Sequence, residues 1–203
     1  MQTPQTELMY HGTCHLFDRF SLDHLGQGEG KSKFGHGIYI TSSYTTAALY
    51  ASKAARARGL HTCYVYTVEV PTLTTANHIF SNRAVDQAVA HRAAQAIGQP
   101  IPHEAMTAGK FLRKYLGNLL TGQCGTLRQM TTKADARAED AASRFLHGIG
   151  VTFLAWPQSQ TKPDGDTNRA VLDADDIRIL RIEQVQTDER NRLLPGTAIT
   201  ITP

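Results

Sequence analysis

The stretch GHGIYITSSYTTAALY, Gly35 to Tyr50, decides how the rest of the chain is read. Gly37-Ile38-Tyr39-Ile40-Thr41 is short, apolar and β-branched, which predicts a strand. It runs into Ser42 and Ser43, and either serine can cap a helix by accepting a bond from a nearby backbone N–H. SSYTTAALYASKAARARG then predicts that helix, with Arg56 and Arg58 suited to its C-terminal end and Gly59 to stop it.

Immediately upstream, GQGEGKSKF carries Gly30-Lys31-Ser32, which looks like the end of a phosphate-binding loop. Such a loop needs a second glycine five positions earlier, so that one ring of backbone N–H groups encloses the phosphates. Leu25 stands there, and the preceding FDRFSLDHLG is broken by charges where an apolar strand is required. The segment reads as a glycine-rich surface connection leading into the Tyr39 strand.

Working outward, ELMYHGT predicts a first strand, and TCYVYTVEV a third that ends at Pro71. The middle is rich in Ala, Arg and Gln, with helices expected over Asn82 to Ile97, Thr107 to Leu120 and Thr132 to Leu146. Strand patterns return in GVTFLAW, RAVLD, DIRILRIEQV and TAITIT. Strands, helices and strands in turn predict one α+β domain over 1–203, with a helical insertion at about 77–147.

Composition narrows the function classes. The chain has 203 residues, 41% of them apolar, enough for one sizeable core. No apolar run reaches membrane-spanning length, and MQTPQTELMY has neither a basic patch nor an apolar core, so no signal peptide is expected. Cys14, Cys63 and Cys124 are too scattered for a disulfide framework, which points to a reducing, cytoplasmic setting. The net charge of +3 permits nucleic-acid contact without requiring it. Lys110, Arg113 and Lys114 read as a solvated helix face. His11, Cys14, His15, His24 and His36 lack the C-x-x-C spacing of a zinc site, and no metal is expected.

Three pieces fall in an order that carries more than any one of them: YHGT, GHGIYITSSYTTAALY and TNRAVLDADDIRIL. Together they resemble the ADP-ribosyltransferase fold of the diphtheria-toxin and poly(ADP-ribose)-polymerase branch. The nearest likeness is to the ADP-ribosyltransferase domains of phage polyvalent proteins and bacterial toxins. The resemblance covers residues 7–69 and 148–182 and leaves out the helical middle. It implies split mixed or antiparallel β-sheets, with NAD as substrate. His11 would bond an adenosine-ribose hydroxyl. Gly12 would pair through its backbone with the nicotinamide carboxamide, with Thr13 the small hydroxyl residue beside it. Tyr39 and Tyr50 would hold the nicotinamide ring from either side. Ala47 stands where some members have a serine on the carboxamide. Gln158 and Gln160 lie where the substrate-recognition loop of the family begins, and Lys31 or Lys33 would reach the pyrophosphate.

The implied chemistry suits these residue types. Breaking the nicotinamide–ribose bond passes through an oxocarbenium-like state, which needs nearby acceptor oxygens or negative charge. Most active members supply a glutamate. Here the aligned residue is Asn168, which can donate and accept but carries no charge; Asp164 or Asp166 would supply it instead. The implied protein is an NAD-dependent mono-ADP-ribosyltransferase, a bacterial or phage toxin, effector or defence protein. His11, Tyr39 and Asn168 are its catalytic positions. Its acceptor is a macromolecule, with RNA or DNA ahead of protein, and an antitoxin or immunity protein is a candidate partner. Two rivals share the fold: an NAD glycohydrolase, and an inactive NAD-binding or interaction module.

Overall fold

The computed structural model describes residues 5–24, 33–159 and 162–201. Lys31 and Gln160 lie outside the described residues, as do the side chains of His24, Asp164 and Asp166.

β1 (Thr6–Thr13), β2 (Ile38–Thr41), α1 (Tyr44–Ala57) and β3 (Cys63–Pro71) follow the sequence pattern closely. Ser43 is the cap of α1, its side chain accepting from the Thr46 N–H, and Gly59 follows in the left-handed conformation at φ +66°. β4 (His78–Phe80) was not foreseen; three residues are too few to show a period.

The middle breaks into more helices than the pattern predicts. They are α2 (Gln87–Ile97), α3 (His103–Met106), α4 (Gly109–Leu120), α5 (Leu127–Thr132) and α6 (Ala136–Gly148). The expected starts at Asn82 and Thr132 move to caps. Asp86 accepts from Ala88 N–H, Thr126 opens α5 with a capping box, and Asp135 accepts from Ala138 N–H.

The chain returns to strand in β5 (Phe153–Ser159), β6 (Lys162–Val171), β7 (Arg178–Val185) and β8 (Ile199–Ile201). β6 begins well before RAVLD: Lys162 pairs with Ser159 and Thr167 with Pro157, with an irregularity between the two pairs.

Among the described residues the strands form one eight-stranded sheet, in the order β4-β5-β6-β2-β1-β3-β7-β8. The β4–β5 pair is parallel and the others are antiparallel. The fold is therefore α+β with a mixed sheet. The join between β1 and β2 is thin: they share the single registered pair Tyr10↔Thr41, while β1 pairs with β3 along all of Thr6 to Thr13. Two four-stranded halves thus meet at one rung, which is the form the expected split takes.

Alternation along the strands assigns the two faces. Met9, Ile38, Ile40, Tyr66, Val68, Phe153 and Val171 pack on one face, under Phe17, Phe20, Leu22 and Ile177. On the other face, α1 lays Ala47, Ala48, Ala51 and Ala55 over Cys14, Cys63 and Val65. Beside it, α4 and α6 bring Leu112, Leu116 and Leu146 to Leu154, Trp156, Ala170 and Leu172 of the β5–β6 half. Helices therefore cover both ends of this face, and β2 runs between the two covers.

Candidate active site

Continuing the register past Tyr10↔Thr41 would set Gly12 opposite Tyr39. The strands part there instead. The Tyr39 carbonyl takes a side-chain donor, His11 Nδ1, at 2.7 Å. A carbonyl can only accept, so Nδ1 carries the proton, and the neutral ring offers Nε2 as an acceptor. Burial pushes the His11 imidazole below its ordinary value, against the pull of the Tyr39 bond, so the neutral form prevails at neutral pH. The ring lies among aromatics, 5.1 Å from Phe20 and 6.2 Å from Phe17 and Tyr66.

Gly12 has a steric reason to be glycine. A Cβ there would fall 1.8 Å from the Ala47 carbonyl oxygen, so α1 rests on this strand backbone to backbone. Thr13 is used locally, its Oγ1 accepting from the His15 N–H at 3.2 Å.

Tyr39 points to the opposite face from His11. Its ring meets Trp156 edge-on at 5.2 Å. Its hydroxyl donates to the Gly35 carbonyl at 2.9 Å and accepts from the Phe34 N–H at 3.2 Å. Burial raises its pKa, so it stays a phenol.

Asn168 stands in register with Thr41 on one side and Trp156 on the other, which puts the three side chains on the face that Tyr39 occupies. It is 6% exposed, and its Oδ1 has no hydrogen-bond partner among the described residues. A buried acceptor left unmade costs about 1–3 kcal/mol, so native proteins keep few of them. Gln158, two residues past Trp156 on β5, donates through Nε2 to Thr46 Oγ1 at the start of α1.

Gly12 and Tyr39 flank the parting of β1 and β2, and Asn168 stands one strand further on, in register with Thr41 on the face of Tyr39. His11 comes in from the other face through the Tyr39 backbone. Tyr50 is apart: it lies on the outward side of α1, 53% exposed, with no ring contact among the described residues. Lys33 is exposed, its Nζ over the Phe34 ring.

Arg113 corrects the reading of a solvated helix face. It is 2% exposed and ion-paired to the buried Glu139 of α6. Burial raises the Glu139 carboxyl and lowers the Arg113 guanidinium, and the mutual attraction opposes both shifts. The motif reading passes over Trp156 and Arg113, which both neighbour Tyr39. The chain's one tryptophan was a signal that could have been used. Arg113 gave none, because its acidic partner sits 26 residues away. Among the described residues no three His, Cys, Asp or Glu side chains converge as metal ligands, and no helix is long and apolar enough to cross a membrane.

No family model matches this chain, and no curated protein does. Among solved structures, a chain of the crystal structure of the M. tuberculosis MbcT–MbcA toxin–antitoxin complex is similar at 14% identity and a TM-score of 0.42, over 90% of this chain and 86% of that one. So loose a likeness assigns no chemistry.

Proposed function

We propose that the parting of β1 and β2 binds NAD and breaks its nicotinamide–ribose bond, delivering ADP-ribose to a macromolecular acceptor. One observation carries the reading: the unpartnered, buried Oδ1 of Asn168, in register with Trp156 and on the face that Tyr39 shares. An orphan acceptor in that place suits a hydroxyl donor, and a ribose 2′-OH is such a donor. Bonded there, Asn168 would hold the sugar while positive charge grows at its anomeric carbon, and its oxygen dipole would favour that charge. The Tyr39 ring would supply an aromatic wall for the leaving nicotinamide, as rigid packing against Trp156 suits. His11 Nε2, the free acceptor of the neutral ring, would bond a hydroxyl of the second ribose.

Asn168 carries no formal charge, so the acceptor group or a nearby carboxylate would complete the stabilisation. The mild positive charge of the chain favours nucleic acid over protein as acceptor. A toxin, effector or defence role, with an antitoxin or immunity partner, follows from that activity in a cytoplasmic setting.

Trp156 adjoins both Asn168 and Tyr39, so its emission is a direct probe of the site. Titration with NAD is expected to change it saturably. With radiolabelled NAD and cell lysate, label is expected in macromolecules, and nuclease or protease treatment names their class. Label recovered as free ADP-ribose alone would make the protein a glycohydrolase. Unchanged emission together with no nicotinamide release would remove the NAD reading.

A further inference from the structure

The four residues Phe34 to Gly37, which lead into β2, are each fastened to a different anchor. Phe34 stacks on Trp156 with ring centroids 4.2 Å apart and planes within 4°. Gly35 adopts φ +119°, a conformation open to glycine, and lies so close beneath α4 that a Cβ would be 2.9 Å from an Arg113 guanidinium nitrogen and 2.3 Å from Leu154 Cδ1. His36 accepts on its carbonyl from Ser143 Oγ at 2.7 Å, and its Nε2 lies 3.3 Å from Asp140. At Gly37 a Cβ would be 2.7 Å from the Val171 carbonyl oxygen. The Tyr39 hydroxyl ties the set together by bonding both Phe34 and Gly35.

Arg113, Ser143 and Asp140 belong to α4 and α6, helices outside every motif of the site. A buried ion pair is a poor way to gain stability, because desolvating two charges offsets most of their attraction. Its strength is direction: a planar guanidinium fixed by a carboxylate holds one orientation. Here that orientation sets Arg113 against Gly35, whose carbonyl receives the Tyr39 hydroxyl.

We propose that the Arg113–Glu139 pair, with Ser143, is a positioning clamp by which the helical segment fixes residues Phe34 to Gly37 and so aims the Tyr39 ring. This deepens the NAD reading of Tyr39 and rests on it. Glu139 also borders a hollow of about 330 Å³ with Lys33, His36 and Lys114, so the buried pair lies at the edge of the packed core. Loosening it therefore need not open the core.

The test uses the double variant Arg113→Met/Glu139→Leu, which replaces the pair by apolar side chains, and the single variant Ser143→Ala. The clamp predicts a folded double variant whose Trp156 emission is red-shifted and more readily quenched by iodide, since Phe34 and Tyr39 no longer hold against the indole. It predicts kcat for nicotinamide release lowered about 10- to 100-fold with KM for NAD moved less than about threefold, because misplacing a positioned group by an ångström has that scale of effect. Ser143→Ala should show the same emission change with a smaller loss of kcat. A folded double variant with wild-type emission and kcat overturns the proposal. If the double variant does not fold, Ser143→Ala decides, and wild-type emission in it is the contrary result. If the wild-type protein releases no nicotinamide, the NAD reading fails by itself, and Trp156 emission still judges the clamp.

Discussion

His11 Nδ1 donates to the Tyr39 carbonyl at 2.7 Å, across the place where β1 and β2 stop pairing. A side chain thus replaces a ladder bond at the join of the two sheet halves. The replacement leaves the gap open while satisfying the buried carbonyl, which would otherwise be an orphan. It also fixes the tautomer that leaves Nε2 as an acceptor.

The first prediction follows from that bond. His11→Ala should weaken NAD binding by about 5- to 150-fold, the scale of losing 1–3 kcal/mol of hydrogen bonding, and should also lower the melting temperature because the Tyr39 carbonyl loses its donor. Isothermal titration and a thermal melt check both. An unchanged dissociation constant in a folded variant would take His11 out of the site.

His11 also sets a pH dependence. Its folded-state pKa lies below the ordinary 6.5, so the unfolded chain binds more protons in that window. Stability is then fully present above 6.5 and falls as pH drops through the window between 6.5 and the lower folded value. NAD affinity should fall only at lower pH, as the folded ring itself takes up a proton, since a protonated Nε2 donates where it should accept. Replacing His11 by Gln, which cannot titrate there, should flatten this part of the profile in melts and in binding.

Tyr39 separates ring from hydroxyl. Tyr39 is partly buried, so Tyr39→Ala should cost less than the ~3–5 kcal/mol of a fully buried aromatic. It should abolish nicotinamide release. Tyr39→Phe keeps the ring but frees Gly35 and Phe34, so a loss of about 1–2 kcal/mol and a partial loss of kcat are expected. Denaturant melts and steady-state kinetics on the two variants check this. Equal damage to kcat from Phe and Ala would mean that the hydroxyl, not the ring, serves the substrate.

Gly12→Ala should be severe. Its Cβ would collide with the α1 backbone at Ala47, which has no side-chain end to swing aside. Overpacking of this kind costs about 1–3 kcal/mol or more, so a large drop in melting temperature is expected. A wild-type melt would show that α1 can lift away from β1.

The sequence made the β1, β2, α1 and β3 region legible because its signals are local. Ser43 and Gly59 bracket α1, and Ile38, Tyr39 and Ile40 cannot be mistaken for a loop. Pro163 and Gly165 disguise the start of β6, which the pair Ser159↔Lys162 extends past them. For the proposed site, His11, Gly12, Tyr39 and Asn168 come from the family resemblance that the order of the three motifs carries. Arg113 was read as a surface charge, since nothing short of the packing of α4 on α6 shows that Glu139 meets it. Tyr50 enters through the family resemblance, and the helix turns it outward.

Salt dependence addresses the acceptor. If it is nucleic acid, modification should fall steeply with added salt as phosphate contacts release counterions. Lys33 is the described cation best placed at the entry to β2 to be neutralised. Lys114 Nζ already donates to the Thr132 carbonyl, and Arg113 is buried. Rates that stay flat from low to moderate salt would favour a protein acceptor.

The most direct test of the account is nicotinamide release from NAD by wild-type protein and by Asn168→Ala, with melts alongside. Removing a buried oxygen that has no partner should cost little stability, or raise it, because the folded chain no longer hides an unmade bond. The same change should lower kcat by more than it raises KM for NAD, since an oriented bond at the reacting sugar matters most as charge develops. Asn168→Glu, which adds the missing charge, should release nicotinamide at least as fast as wild type. Turnover by wild type and its collapse in a stable Asn168→Ala protein is the predicted result; equal release by the two would contradict the account.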